Sequence, residues 1–230
     1  VSPAPCFLNG WPGLQVIELI YKLLSDKLPE AFPASSGGCL IGAVWWGIRN
    51  KDGEPWADGA PHPVGQGGFS TGDGITTMHH NSAGTRMSPS EIWESKNPWL
   101  IKKIELVQDS CGAGKFRGGL GLDIEFELLE DTFVTTVVER TKLPPWGING
   151  GKKGRANNVK VIKKNGEIIF IPKISGFKLH KGDKITFMTG GGGGYGDPQL
   201  RDSNLIENDL KQGYLSEEYI KQNFINYKFN

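Results

Sequence analysis

Two stretches of the chain combine bare main chain with aromatic or charged side chains, a combination that can bind a ligand. In the first, five consecutive glycines at 190–194 are followed by Tyr195 and a Gly-Asp-Pro sequence. Residues without a Cβ let a ligand, a ring or another backbone come very close. A flexible linker would not end in a fixed aromatic residue and a proline, so we predict a shaped loop. We expect Gly192, Gly193 and Tyr195 to contact a substrate or an anion.

The second stretch, 109–121, reads DSCGAGKFRGGLG and joins two predicted strands. Lys115 and Arg117 stand beside glycine amides there, which favours an anion-binding nest. Neither stretch has the Gly-Lys-Ser/Thr ending and helix of a nucleotide-binding phosphate loop. The alternative is a tight crossover in which the glycines let strands pack and Arg117 pairs with Asp109. We expect Arg117→Ala to weaken turnover more than folding.

Carboxylates supply the candidate acid–base groups. Glu91 and Glu94 are three residues apart on a predicted helical turn, so both lie on one face. They could act as acid and base, bridge to the region of Arg140, or simply cap and solvate the turn. We take Glu91, Glu94 and Asp109 as candidate catalytic residues and Arg140 as a further anion-binding residue. His79 and His80 would point to opposite faces of a strand, so we expect no metal site in this chain.

The net charge is only +1, but it is unevenly distributed. Between Arg140 and Lys184 there are twelve Lys and Arg residues against two acids. This basic cluster could face phosphates or an acidic partner, or it could be a solvated sheet face. It lacks aromatic interleaving and a nucleic-acid module, so we expect no nucleic-acid partner.

Composition narrows the class of protein further. No apolar run reaches the roughly 18 residues of a membrane span, so we expect no membrane association. The three cysteines form no CxxC pair, which indicates neither a disulfide framework nor a zinc site and favours a cytoplasmic location. Glycine accounts for 33 of 230 residues and proline for 14, which predicts few helices and a β-rich body.

The elements that must position these residues follow from periodicity. Apolar residues at helical spacing predict an amphipathic helix over 14–28. A Ser-Pro-Ser-Glu sequence predicts a second helix, with Ser88 as its N-cap and Glu91 completing a capping box. Residues 54–74 are predicted as a long loop. Lys164-Asn165-Gly166-Glu167 predicts a hairpin with a two-residue turn. The predicted strands are 40–48, 102–108, 122–129, 133–139, 158–164, 167–171 and 184–188.

The C-terminal residues revert to helical patterning. Gly213 is a natural C-terminal stop, and the Ser216-Glu217-Glu218 sequence starts another helix. We therefore predict an α+β fold, with a β-rich domain over 1–198 and a helical hairpin tail over 199–230.

Taken together, these segments resemble the hydantoinase B family, which includes the B subunit of N-methylhydantoinase, the matching region of 5-oxoprolinase, and subunits of acetone and acetophenone carboxylases. The resemblance begins at Cys6-Phe7-Leu8-Asn9-Gly10 and spans almost the whole chain. The other segments that carry it are Leu28-Pro29 to Pro33-Ala34, Pro89-x-Glu91-x-x-Glu94, the 109–121 stretch, Glu139-Arg140, Pro145-Trp146-Gly147, Gly150-Gly151, Thr189 to Pro198, and Asp209 through Gly213 to Ser216-Glu217. One departure is Cys111, which stands where the family pattern has glycine.

The resemblance implies an ATP-dependent activity on a small-molecule substrate. The implied chemistry is phosphorylation of an amide or ketone oxygen, mostly on a hydantoinase A-like partner subunit, followed by ring opening or carboxylation. It also implies a divalent metal held by ligands in the family's N-terminal half, which this chain is expected to lack. The chain would then be the C-terminal portion or split subunit of a multi-subunit enzyme, inactive alone. The alternative is a noncatalytic scaffold or assembly subunit.

Overall fold

The computed structural model describes residues 10–38, 41–78, 80 and 87–229, with side chains described from Gly13 onward, apart from Ala60. Several residues singled out from the sequence, namely Cys6 to Asn9, Cys39 and His79, lie outside the described residues. The described residues form an α+β fold, which confirms the predicted class. Helices lie at both ends, and nine strands lie between them.

The helices are α1 (Gly10–Ser25), α2 (Ser90–Lys96), α3 (Ser203–Lys211) and α4 (Glu217–Asn223). Short 3-10 turns cover Pro29–Ala31 and Pro198–Leu200. The strands are β1 (Ile41–Ile48), β2 (Pro55–His62), β3 (Trp99–Leu106), β4 (Leu122–Leu128), β5 (Thr132–Val137), β6 (Asn158–Ile162), β7 (Ile168–Phe170), β8 (Lys173–Leu179) and β9 (Lys184–Met188).

The strands form two sheets, in which every pair of named strands is antiparallel. One sheet has the order β2-β1-β5-β8 and the other β3-β4-β9-β6-β7. Buried and partly exposed residues alternate along β1 and β4, as expected of strands with one wet face. The dry faces meet in an aromatic core, where the rings of Trp45 and Trp99 lie 4.9 Å apart and those of Trp45 and Phe126 lie 5.8 Å apart.

Two strands were missed by the sequence analysis. β2 lies within the predicted 54–74 loop and pairs along its whole length with β1. Its Pro, Asp and Gly residues are tolerated because it is an edge strand, where one row of backbone groups needs no partner. β8 is the opposite edge of the same sheet, and its sequence also carries a glycine, Gly176, with a φ of 63°.

The predicted start of α2 and the predicted β6–β7 turn need correction. Pro89, not Ser88, is the N-cap of α2, and no side chain caps that helix. Pro89 has an extended ψ of 143°, so the helix begins one residue later than a Ser88 capping box requires. In the β6–β7 hairpin, Gly166 N donates to Lys163 O, so Lys164 and Asn165 are the central turn residues and Gly166 follows them with a φ of 88°.

The predicted helical hairpin is formed by α3 and α4. Asp202 and Ser216 cap the two helices, each by accepting a hydrogen bond from a backbone amide of the first turn. Gly213 between them has the left-handed φ of 71° that favours glycine. The tail packs on the 109–121 segment through a small apolar cluster of Ala113, Leu120, Ile206, Leu215, Ile220 and Phe224. The domain boundary at 198 stays a prediction.

None of the helices in the described part of the chain is both long and apolar enough to cross a membrane.

Candidate functional site

The five-glycine run packs against four other segments that lie outside the helices and strands, and we call these five segments the glycine core. Its members are 34–37, 65–68, 112–119, 146–154 and 190–195. Main chain packs directly against main chain in the glycine core. A Cβ on Gly192 would lie 1.8 Å from Gln66 O, and one on Gly193 would lie 2.0 Å from Trp146 O. The glycines are therefore required by the close approach of other backbone segments.

The amides of the run donate within the protein. Gly192 N donates to Gly119 O at 2.9 Å, Gly193 N to Ser35 O at 2.8 Å, and Gly194 N to Lys152 O at 2.9 Å. Tyr195 is buried, and its amide donates to Phe116 O at 2.8 Å. In this arrangement, the Gly192 and Gly193 amides and the Tyr195 ring, all predicted to contact an anion or substrate, face protein instead.

Arg117 belongs to a buried ion network that attaches the tail to the glycine core. Its Nε donates to both oxygens of Asp209, at 3.0 and 3.1 Å. Arg201 donates to Oδ2 of the same Asp209 at 2.6 Å and makes a bidentate pair with Asp73 at 2.7 and 2.8 Å. The side chain of Arg201 is fully buried. Two arginines thus balance two aspartates, which indicates a role in holding the tail in place.

Asp109 does not pair with Arg117, in contrast to the alternative weighed from the sequence. Its backbone has a left-handed φ of 62°. Its carboxylate accepts hydrogen bonds from the amide of Ser216 at 2.7 Å and from the Ser216 hydroxyl at 2.6 Å. Asp109 therefore secures the start of α4.

Lys115 and the two glutamates of α2 lie at or near the surface. Lys115 is exposed, with its Nζ 5.4 Å from the centre of the Phe116 ring. Glu94 accepts a hydrogen bond from the amide of Ile101 at 2.7 Å, which links α2 to β3. Glu91 is exposed on the same helix. The structure therefore does not gather the three candidate carboxylates into one constellation with Lys115 and Arg117.

Arg140 lies in a second charged cluster, which the sequence analysis missed, beneath α1. Its guanidinium donates to Oε2 of Glu18 at 2.6 Å, and Glu18 is only 1% exposed. The same carboxylate accepts from the Ser35 hydroxyl at 2.7 Å and from the Ser36 amide at 2.9 Å, and Nε2 of His80 lies 3.2 Å from its Oε1. The one sequence signal for this cluster is a lone carboxylate in a mostly apolar helix.

The electrostatics of Glu18 favour its ionised form. Burial alone raises the pKa of a carboxyl group, because it removes the water that solvates the charge. At Glu18 the hydrogen bond to His80 and the charge of Arg140 outweigh that effect and hold its pKa below the ordinary value. The cluster therefore contains a carboxylate and a guanidinium, both charged and both buried.

The backbone of Arg140 is held in an uncommon conformation. Its φ of 52° is left-handed, which costs about 1 kcal/mol or more for a residue with a side chain. The guanidinium lies 4.3 Å from the centre of the Trp146 ring. Asn157 connects the cluster to the glycine core, because its side chain donates to Gly37 O at 2.6 Å and accepts from the amide of Gly190.

A surface groove of about 470 Å³, which we call the Arg140 groove, opens beside this cluster. Two cations besides Arg140 line it, Lys173 and Lys142. Lys173 pairs with Glu139 at 2.9 Å, whereas Lys142 forms no ion pair with any of the described residues. Lys22 of α1 lies near it, with its Nζ 4.8 Å from the Trp146 ring centre. The groove is lined by Gln15, Leu19, Glu139, Arg140, Thr141, Lys142, Leu143, Trp146 and Lys173. It is a cationic, partly apolar recess that could receive an anion.

The rest of the basic cluster between Arg140 and Lys184 is partly neutralised. Arg155 pairs with Asp123 at 2.7 Å, and Lys163 with the buried Asp183 at 2.9 Å. Lys178 pairs with Asp131 in the turn before β5, and Lys184 pairs with Glu125 of β4. Acids from other segments therefore compensate only part of the local excess of positive charge seen in the sequence.

Neither a metal site nor a reactive thiol emerges from the described residues. Across 10–38, 41–78, 80 and 87–229, no group of three or more His, Cys, Asp or Glu side chains lies close enough to hold a metal ion. Burial raises the pKa of Cys111 to about 12, so its thiol stays protonated near neutral pH.

Comparison with known families gives a match over most of the chain. Residues 1–198 match the family described as hydantoinase B/oxoprolinase. An uncharacterized protein of Methanocaldococcus jannaschii is 34% identical over 99% of this chain and 39% of its own length. The B-type subunit of a putative D-/L-hydantoinase from a Pseudomonas strain is 26% identical over 95% of this chain and 37% of its own length. The chain thus spans about two fifths of these relatives.

Other relatives and solved structures extend the comparison. The 5-oxoprolinase of Dictyostelium discoideum is 31% identical over 83% of this chain, and the beta subunit of the Pseudomonas jessenii caprolactamase is 34% identical over 55%. The crystal structure of ATP-dependent caprolactamase from Pseudomonas jessenii superposes on the whole chain with a TM-score of 0.85 at 22% identity, over 41% of that chain. A nucleotide-free acetone carboxylase structure superposes on 82% of this chain and 30% of its own, with a TM-score of 0.66 at 18% identity.

Proposed function

This chain belongs to the hydantoinase B/oxoprolinase family, and we propose that it is the C-terminal portion, or a split subunit, of an ATP-dependent enzyme that opens cyclic amides. The match over residues 1–198 carries this proposal, since it includes α1, both glycine stretches and Arg140. The remaining portion of the enzyme would be a hydantoinase B-type N-terminal half and a hydantoinase A-like subunit. The proposed setting is the cytoplasm.

The choice of ring opening over carboxylation follows the named relatives. Hydantoinase, 5-oxoprolinase and caprolactamase are each named for a cyclic amide, and all three are related to this chain by sequence. Acetone carboxylase is compared here by fold, at 18% identity. A hydantoin, 5-oxoproline or caprolactam type of substrate is therefore the class that the relatives favour.

The Arg140 groove is the proposed place for an anionic group on this chain. An amide oxygen that takes the terminal phosphoryl group of ATP becomes an activated, negatively charged imidate phosphate. Water would then add at the amide carbon, and the ring C–N bond would break as the nitrogen takes up a proton and leaves as the amine, which gives an acyl phosphate. A second water would hydrolyse this acyl phosphate, so the products would be the open-chain acid, ADP and phosphate. Arg140 and Lys142 would attract the phosphate, and the Trp146 face would exclude water from it.

Neither glycine stretch offers a phosphate cradle for ATP. The amides of Gly192, Gly193 and Gly194 donate to protein carbonyls, and neither glycine stretch has the sequence of a phosphate loop. Nucleotide binding is therefore proposed for the A-like partner. A divalent metal would likewise be held by the N-terminal half, since the described residues do not gather three ligands.

One feature favours the second candidate, a noncatalytic assembly subunit. Glu91, Glu94, Asp109 and Arg117 contribute to structural contacts or to the surface in this arrangement, and none of them lines the Arg140 groove. In that case the complete enzyme would need this chain for its shape alone.

Replacement of the matched segment of the Methanocaldococcus jannaschii relative by this chain gives a full-length chimera for the test. The chimera is mixed with a hydantoinase A-like subunit, ATP and each of 5-oxoproline, hydantoin and caprolactam, and the open-chain product is measured. We expect at least one lactam to be opened, with ATP turnover that does not depend on bicarbonate. Bicarbonate-dependent ATP turnover on a ketone would replace ring opening by carboxylation.

Lys142→Ser in the chimera separates the catalytic role from the assembly role. Lys142 lines the groove without an ion pair in the described residues, so its loss should leave folding unchanged and raise KM for the lactam or slow turnover several-fold. Lys181→Ser, at an exposed lysine outside the groove, is the matched control. Equal activity of the two variants and the unmodified chimera would favour the assembly role.

A further inference from the structure

The outer face of α1 is apolar and uncovered. Five residues at helical spacing, at positions i, i+3, i+4, i+7 and i+8, point to solvent, while Glu18 and Ser25 are buried on the opposite side. Leu23 is 75% exposed. This α1 stripe consists of Val16, Leu19, Ile20, Leu23 and Leu24. A helix that buries its carboxylate and exposes its leucines has reversed the usual arrangement of a surface helix.

The apolar surface continues into the Arg140 groove. Leu19 belongs to both the α1 stripe and the groove lining, and Leu143 on the far side of the groove is 77% exposed. A partner that covered the stripe would also reach over the mouth of the groove. Contiguous exposed apolar surface rimmed by polar residues, such as Lys22 and Lys142 here, marks an interaction site.

The length of the relatives points to the occupant. This chain covers 39% of the Methanocaldococcus jannaschii relative and 41% of the caprolactamase chain, although each alignment takes in nearly all of this chain. The relatives therefore carry a large additional portion of polypeptide next to the same fold. A surface that the fold leaves apolar is suited to contact that portion.

We propose that the α1 stripe is the docking surface for the N-terminal portion of a hydantoinase B fold, which closes the Arg140 groove when it binds. The inference rests on the proposed function for the identity of this partner. The groove would then be a composite site, with its cations supplied by this chain and its cover by the partner. A second copy of this chain and a lipid surface are the competing occupants.

The first test is the reaction rate of an engineered thiol. Leu23→Cys is introduced into the isolated 230-residue chain and into the full-length chimera, and modification by a maleimide is assigned to the residue by mass spectrometry. We expect the Leu23→Cys variant to be labelled fast in the isolated chain and at least tenfold more slowly in the chimera. Ile225→Cys, at a position 75% exposed and away from α1, is the matched control and should react equally fast in both.

Labelling of the Leu23→Cys variant that is as fast in the chimera as in the isolated chain would overturn the docking surface. Protection in the isolated chain that grows with its own concentration would assign the stripe to a second copy instead. Protection only on addition of anionic phospholipid vesicles would assign it to a membrane. Either of these two results also overturns the proposal.

A second measurement tests the docking surface without the chimera, in case the chimera does not fold. The unmatched portion of the Methanocaldococcus jannaschii relative is added in trans, and coelution with this chain is followed by gel filtration. We expect coelution with the unmodified chain and with Leu200→Glu, an exposed control, but not with the Leu19→Glu/Leu23→Glu double variant. Coelution with all three, or with none, would overturn the proposal.

Activity measured on the same samples keeps the two proposals apart. If Leu23→Cys were protected in a chimera that opens no lactam, the result would contradict the proposed function and support the docking surface. Lactam opening by a chimera in which Leu23→Cys stays reactive would remove the docking surface and leave the proposed function.

Discussion

The glycine core and the α1 side of the molecule differ in how completely their groups are partnered. In the glycine core, the amides of Gly192 to Gly194 donate to protein carbonyls, and the nearby Arg117 and Arg201 both pair with the buried Asp209. On the α1 side, leucines face solvent and a cationic groove stays open. Dense glycine motifs here mark a packed scaffold, whereas the partly completed surface lies next to the buried Glu18.

The largest expected effect comes from adding one methyl group inside the glycine core. Gly192→Ala would place a Cβ 1.8 Å from Gln66 O, so the central segments would have to separate. We expect the free energy of unfolding to fall by about 5 kcal/mol or more, at the extreme of single substitutions. Chemical denaturation followed by circular dichroism measures it.

Gly59→Ala is the control for that substitution. A Cβ on Gly59 in edge strand β2 would meet no atom within 4 Å. Alanine in a strand is more favourable than glycine by about 0.5–1 kcal/mol, so this variant should be as stable as the unmodified chain or slightly more so. Equal stability of the Gly192→Ala and Gly59→Ala variants would show that the core segments are not closely packed.

The next largest effect is expected in the buried ion network. Arg201→Met leaves the buried Asp209 with Arg117 alone and Asp73 without its bidentate partner. Removing one member of a buried ion network costs about 3–5 kcal/mol. We expect the thermal transition to fall accordingly and the tail helices to become sensitive to protease.

Lys221→Met is the matched control for Arg201→Met. It removes the exposed i, i+4 pair with Glu217, for which both side chains are at least 60% exposed. Such a pair contributes about 0.3–0.5 kcal/mol. If Arg201→Met lost no more stability than this control, the buried network would contribute no more than an exposed ion pair.

The smallest of the three effects is expected on the α1 side and depends on pH. Glu18→Gln keeps the shape of the side chain but removes the charge that faces Arg140, at a cost of about 2 kcal/mol near neutral pH. The pKa of Glu18 in the folded protein lies below the ordinary value of 4.5. The stabilisation is therefore complete above about pH 5 and is lost as pH falls through 4.5 towards the folded pKa.

Unfolding of both chains between about pH 7 and pH 3 measures this prediction. The stability difference between the unmodified chain and Glu18→Gln should narrow as the solution becomes more acidic. A difference that stayed constant or widened on acidification would mean that Glu18 is not an ionised partner of Arg140.

The sheets could be predicted largely from alternation. Buried and partly exposed residues alternate along β4, and the three central residues of β9 are all buried. The predicted ranges agree with these two strands within a residue or two. The edge strand β2 could not be predicted because its Pro, Gly and Asp residues are tolerated only by its position at the edge. That position depends on pairing with β1 rather than on local sequence.

The site could be predicted less well, because its contacts join residues far apart in the chain. Arg140 was chosen from the sequence, but its partner Glu18 lies 122 residues away. Arg117 was expected to bind an anion or pair with Asp109, whereas it meets Asp209 across 92 residues. The glycine stretches correctly indicated that another group comes close to the glycine backbone. Glycine spacing does not tell whether that group is a ligand or another backbone segment.

Hydrogen exchange on the isolated chain and on the full-length chimera tests most directly the central claim that the glycine core is complete and the α1 side is not. We predict slow exchange at the amides of Gly192, Gly193 and Gly194 in both proteins, and protection of α1 that rises only in the chimera. Fast exchange of the glycine amides in the isolated chain, with unchanged exchange of α1 between the two, would contradict the claim.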